Sequence, residues 1–293
     1  MRQRATRLFA IGSGRRLGVV PILDQLGVQA AAAYSLRRVS SAASLACRVR
    51  RSSDNAEANI GFTASGDLDT AALLAHVGSG SGFVTTWYDQ SGNARNAAQT
   101  TAGLQPRIVS NGAIETQSGR PVLRPDGVDD TMVVSPSGVT TYPLSLNTVV
   151  FRGDANEKGA WVKVGGHNPD GVGIGIGAGS FDVAGTNLIG LKENVAWAPT
   201  STTVAPKAIV TMLQPSGTSA TGIYQNGAGA AITAGATDAP IAPSPSISLF
   251  GYGATRFASN PMGEVLIFPS LLSTTNRQTL ERNQGAYFGI TIA

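Results

Sequence analysis

Apolar residues in this chain come in short segments, each cut off by glycine, proline or an Asn/Asp-led turn. None approaches the length of a membrane span. Residues 107–109, 121–124, 131–134, 146–152, 160–164, 172–176, 207–213, 246–252 and 263–268 read as successive strands. Residues 207–213 and then 222–232 read as a hairpin around Asn226-Gly227, a favoured two-residue turn. Two segments have helical spacing instead. Residues 67–77 start at Asp67 or Asp69 as N-cap and end at Gly78; residues 274–287 open at Ser273/Thr274. On the later helix, Glu281 and Arg282 read as a solvated face. Strands spaced for antiparallel pairing, with few helices, predict an all-β protein: two packed sheets in a sandwich or jelly roll with short peripheral helices.

Composition agrees and excludes several chemistries. With 36 Gly and 15 Pro in 293 residues and only 14% charged residues, the chain is turn-rich; its 42% hydrophobic content is too high for disorder. The single Cys47 cannot close an internal disulfide or build a cysteine-based zinc site, and His76 and His167 alone cannot make a multi-histidine centre. No motif calls for a cofactor. Gly171–Gly179 lacks the Lys-Ser/Thr ending of a phosphate loop, and no Gly-x-Ser-x-Gly element supports serine catalysis.

Charge is divided unevenly. Residues 1–53 hold ten arginines against one acid, Asp24, a net of +9, whereas the other 240 residues hold 12 basic and 17 acidic groups, a net of −5. This predicts a basic N-terminal arm over 1–33, docking through Arg2, Arg4, Arg7, Arg15 and Arg16, ahead of a sandwich over 34–293. The cluster has no interleaved aromatics, and Arg48, Arg50 and Arg51 alternate as in a strand. Contact with another protein, or pairing with acids of the body, is therefore preferred over nucleic acid. The apolar stretches before Asp24 are broken by glycines and Pro21, so the expectation is that the chain is not exported by its own signal.

Three groups of residues could form sites. Trp87-Tyr88-Asp89 could offer a sugar-binding platform, although alternation in a strand and Asx bonding by Asp89 explain the same residues. His167 and Asp170 could share a polar ligand site. Asp126, Asp129 and Asp130 resemble an oxygen-rich calcium loop but fit a plain turn as well.

Several segments resemble the opening of the alpha-L-arabinofuranosidase B catalytic-domain family. They are Tyr34-Ser35-Leu36-Arg37-Arg38, Cys47–Glu57, Ile60-Gly61-Phe62, Leu68–Ala75, and above all Tyr88-Asp89-Gln90-Ser91-Gly92-Asn93. The likeness is strongest over residues 34–109. The rest is similar in pattern to concanavalin A-like, laminin G-like sandwiches. The form with Arg50-Arg51-Ser52-Ser53-Asp54-Asn55-Ala56-Glu57 is similar to bacteriophage and prophage virion proteins.

The resemblance implies a sandwich fold and, in the enzymes, a nucleophilic Glu and an acid/base Asp. At the first place this chain reads Val164–Asp170, with Asp170 but no Glu; at the second it reads Phe250–Arg256, with Ala254 or Thr255 where Asp is expected. The resemblance therefore implies a virion structural protein without catalysis: a tail, fibre or capsid-decorating component assembled in the host cytoplasm. It would be a homo-oligomer touching other virion proteins or a host-surface glycan. The alternatives are an arabinofuranosidase-type hydrolase using Asp170, Asp182, Glu193 or Glu264, and a free lectin.

Overall fold

A computed structural model describes residues 20–152, 159–165, 173–178, 188–193, 196–215, 222–230, 246–252 and 256–293. Among these residues the chain forms two small two-stranded sheets and, as the strand spacing predicts, two large antiparallel ones. The smaller runs in the order Ala32–Ser35, Met262–Phe268, Leu144–Phe151, Lys207–Gln214, Gly222–Gln225, Ala228–Ala230. The larger carries Ala196–Thr203, Leu188–Glu193, Gly173–Ala178, Gly159–Gly165, Ser246–Leu249, Met132–Val134, Ala97–Ala98, Gly82–Trp87, Leu45–Arg51 and Glu57–Gly61. Arg107–Ser110 pairs beside Gly82–Trp87 and carries Ala113–Ile114.

The smaller sheet is covered on both faces, and the period of two along its strands sorts its residues. Val265 and Ile267 of one strand, Leu144 and Leu146 of the next, and Ala208, Val210 and Met212 of a third join the core between the sheets. The alternate residues face the helices, where Leu266 and Phe268 meet Leu280, and Val149 and Ile209 meet Phe288. The inter-sheet core is closed by aromatic rings: Trp87 stacks on Phe250 at 6.2 Å and lies 5.8 Å from Tyr34, all three fully buried.

Both predicted helices form with the predicted caps. In α2 (Thr70–Val77) the Asp69 side chain accepts from the Ala72 amide; in α3 (Thr274–Phe288) Ser273 accepts from that of Asn276. The Asn226-Gly227 hairpin forms as well, with Gln225 opposite Ala228 and positive φ at both turn residues.

Two expectations change. Glu281 is fully buried rather than solvated, because α3 turns it onto the sheet, and only Arg282 faces water. Residues 20–33 also belong to the folded body. Helix α1 (Ile22–Leu26) buries Ile22 and Leu26 against Leu272 and Leu280, ends at Gly27 with φ +64°, and leads into the edge strand Ala32–Ser35. One helical turn is too short to show a period, which is why the sequence reads there as a featureless arm. Arg2, Arg4, Arg7, Arg15 and Arg16 lie outside the described residues.

The other arginines of the basic segment largely pair with acids of the body. Arg37 meets Glu264, Arg48 meets Glu57 and Arg51 meets Asp54.

Candidate functional site

Asp89 is the hub of the segment with the strongest family likeness, and it is fully occupied by the fold. Its Oδ1 accepts from the amides of Ala33 and Ser91, and its Oδ2 from the Ser91 hydroxyl and the Arg95 amide. The residues after it complete a clamp on the first edge strand. Gln90 accepts from the Val39 amide and donates to the carbonyls of Ser35 and Arg37, and Asn93 donates to those of Ala30 and Ala31. Trp87 points the opposite way into the core, at 0% exposure, so it presents no face to a ligand. Tyr88, whose hydroxyl donates to Asn59, remains in a shallow groove with Asp89 and residues 42–45. Trp87 and Asp89 thus serve the fold, as strand alternation and Asx bonding allow, while Tyr88 stays at the groove.

His167, Asp170 and Asp182 lie outside the described residues, as do Ala254 and Thr255; Glu193 closes a strand of the larger sheet. Glu264 is fully buried beneath α3. It accepts two bonds from Arg37, one from the Ser35 hydroxyl and one from Gln284.

What the fold does assemble is a cleft of about 500 Å³ at the edge of the larger sheet. Its lining includes Phe83, Gln105, Arg107, Arg124, Asp126 and Asp130, drawn from separate segments. Phe83 sits on the strand Gly82–Trp87, and the Arg50 guanidinium lies 4.9 Å above its ring. Arg50 is held in turn by Gln105, Asn55 and the Ala102 carbonyl. Arg107 and Arg124 are fixed by one acid: both Nε atoms donate to Glu115, at 2.7 and 2.6 Å. Burial works to raise the Glu115 carboxyl, but hydrogen bonds from Arg124 and Arg107 outweigh it and hold the group below its ordinary value.

The Asp126–Asp130 loop forms the opposite wall. Asp126 Oδ1 accepts from the amides of Val128, Asp129 and Asp130, and Asp130 Oδ2 accepts from the Asp126 amide at 2.8 Å. Gly127 has φ +77°, and a Cβ there would come within 2.9 Å of the Ser259 side chain. Asp130 is 4% exposed; burial first, and the Asp126 charge second, push its carboxyl up to about 7. One oxygen from each of Asp126, Asp129 and Asp130 lies within 4.8 Å of the others, an all-oxygen set suited to a hard cation such as Ca²⁺. It offers three of the six to eight oxygens such an ion takes, and two of its carboxylates already hold the turn.

Phe83, Arg107, Glu115 and Arg124 carry no local pattern that marks them; only folding brings them together. The chemistry of the cleft is polar: guanidinium groups and carboxylate oxygens beside an aromatic ring.

No known protein family and no curated protein matches the sequence. Solved structures do match the fold. A GH54 a-l-arabinofuranosidase soaked with a cyclic sulfate inhibitor superposes with a TM-score of 0.64 at 14% identity, over 89% of this chain and 63% of that one. An arabinofuranosidase complexed with arabinofuranosyl-alpha-1,2-xylobiose gives 0.66 at 15% identity, with the same coverage. This chain thus spans less than two thirds of those enzymes. The likeness shows that the fold is a β-sandwich similar to that of the GH54 arabinofuranosidases.

Proposed function

We propose that this chain is a non-catalytic, glycan-binding β-sandwich carried on a bacteriophage particle, binding saccharide in the cleft at Phe83, Arg107, Arg124 and Asp126. The observation that carries the non-catalytic part concerns Glu264. Of the hydrolase candidates whose side chains are described, it is sealed beneath α3 in an ion pair with Arg37, out of reach of any substrate. In the cleft, Asp126 has one carboxylate oxygen engaged by three backbone amides, which suits it to holding the loop and binding rather than to attack. The particle context rests on the likeness of residues 50–57 to virion proteins. In that setting the protein assembles in the host cytoplasm, forms a symmetric oligomer and contacts other virion proteins.

The test is a glycan array and calorimetry with arabinose-containing oligosaccharides on the full chain, together with proteomics of purified particles. Binding weakened at least tenfold by Phe83→Ala, with the protein present in particles, is the expected outcome. Release of 4-nitrophenol from an arabinofuranoside, abolished by Asp130→Asn, would overturn the non-catalytic reading in favour of a hydrolase using the Asp126–Asp130 pair.

A further inference from the structure

A second cleft, of about 240 Å³, lies where the loop after Ala32–Ser35 meets the C-terminal half of α3. Three guanidiniums converge on it: Arg37, Arg38 and Arg120. Arg37 and Arg120 both lie over the Tyr287 ring, 4.6 and 4.2 Å from its centroid. Arg120 also donates to the Tyr287 carbonyl at 3.0 Å and reaches Asp67 at 3.4 Å.

The charges do not balance. Glu264 consumes Arg37 and Asp67 answers Arg120, but Arg38 has no ion pair among the described residues; it rests only on the Phe62 ring. One positive charge is left over. Residues 1–19, which precede Val20 in sequence, contain no Asp or Glu. Two buried polar atoms of lining residues are also unsatisfied: Arg38 Nε, a donor, and Asn283 Oδ1, an acceptor. Buried polar groups without partners are costly, and a ligand that draws these two side chains toward the cleft would pair them.

The missing partner must therefore bring a single negative charge on oxygen and an O–H donor. An acidic sugar has both, and so has dihydrogen phosphate; a halide lacks the donor and a neutral sugar lacks the charge, and the glycan reading above favours the sugar over free phosphate. The volume is below that of pockets enclosing whole drug-sized ligands, which fits one charged residue of a longer chain. Resting on the glycan reading above, we propose that the Arg37–Arg38–Arg120 cleft binds the oxyanion of an acidic saccharide, a uronate carboxylate or a sulfate ester, through the fork of Arg38.

The test is calorimetric titration of the full chain at constant ionic strength with D-glucuronate, N-acetylglucosamine 6-sulfate, glucose and inorganic phosphate. Saturable binding of either acidic sugar, weakened at least tenfold in Arg38→Ala and with no measurable binding of glucose, is the expected result. Should Arg38→Ala fail to fold, Arg38→Lys keeps the charge and removes the fork, and it is expected to weaken binding in the same direction. The inference is overturned if neither acidic sugar binds, if affinity is unchanged in the Arg38 variant that folds, or if phosphate binds while both sugars do not. Phe83→Ala separates the two sites: it lowers affinity for arabinosides and leaves glucuronate binding intact. Absence of arabinoside binding by the wild-type chain, with glucuronate still bound, therefore sinks the first cleft and not this one.

Discussion

The smaller sheet is buried on both faces, but only the face toward α3 carries a buried polar layer. Toward the larger sheet it presents an apolar surface closed by Trp87, Phe250 and Tyr34. Toward α3 it sets a polar layer between the apolar clusters at Leu280 and Phe288: Asn147, Thr211 and Glu264 bond to Gln284 and Glu281 of the helix, with Arg277 paired to Glu281 and resting on Tyr224. Apolar burial is non-directional and tolerates small shifts, whereas each bond of the polar layer demands one position of the helix. The difference assigns cohesion to the first face and the seating of α3 to the second. It also bears on function, since the Tyr287 and Asn283 that line the arginine cleft are placed by that seating.

Emptying the apolar face should do the greatest damage. Trp87 is enclosed on every side, so Trp87→Ala removes a large ring and leaves a cavity that neighbouring rings cannot fill. The expected loss is about 4 kcal/mol in urea unfolding, with cooperative behaviour retained. A loss below about 1 kcal/mol would mean that this core is not what holds the sheets together.

The polar face should respond differently to single and paired changes. Glu281→Leu alone leaves the Arg277 guanidinium, 6% exposed, without its carboxylate, and should cost about 3 kcal/mol. Adding Arg277→Met removes the stranded charge. The double variant should return to within about 1 kcal/mol of wild type, because an ion pair exchanged for packed apolar side chains is near neutral. If the double variant is as unstable as the single one, the layer contributes cohesion rather than seating, and the contrast between the two faces fails.

How far these faces can be read in the sequence depends on the same contrast. The period-two pattern of Leu144–Phe151, Lys207–Gln214 and Met262–Phe268, the caps at Asp69 and Ser273 and the Asn226-Gly227 turn are local signals, and each is realised. Glu281 reads as solvated in the sequence because charge on a helix ordinarily means exposure; its partners Arg277 and Thr211 are one turn away and on another strand. The motif at residues 88–93 is legible as special but not as a clamp, since its partners lie some 60 residues upstream. Both clefts are assembled from segments far apart in sequence, so no window of residues contains either.

Asp130 supplies the smallest and most selective test, for it is a buried carboxyl with no ion pair among the described residues. Its counterparts Glu264 and Glu281 each hold an arginine. Its carboxyl sits at about 7 when folded, against roughly 3.9 for an aspartate in an unfolded chain. Between those values the folded state holds a proton that the unfolded state has released, so stability from this group is complete below about pH 4 and is lost as pH rises through 7. Asp130→Asn keeps an oxygen to accept from the Asp126 amide and has no charge to bury. Its urea midpoint should therefore fall less than that of wild type between pH 4.5 and 8, with the two proteins closest at the acid end. Parallel curves would show that Asp130 ionises freely in the fold, and that partnered and unpartnered buried carboxyls behave alike here.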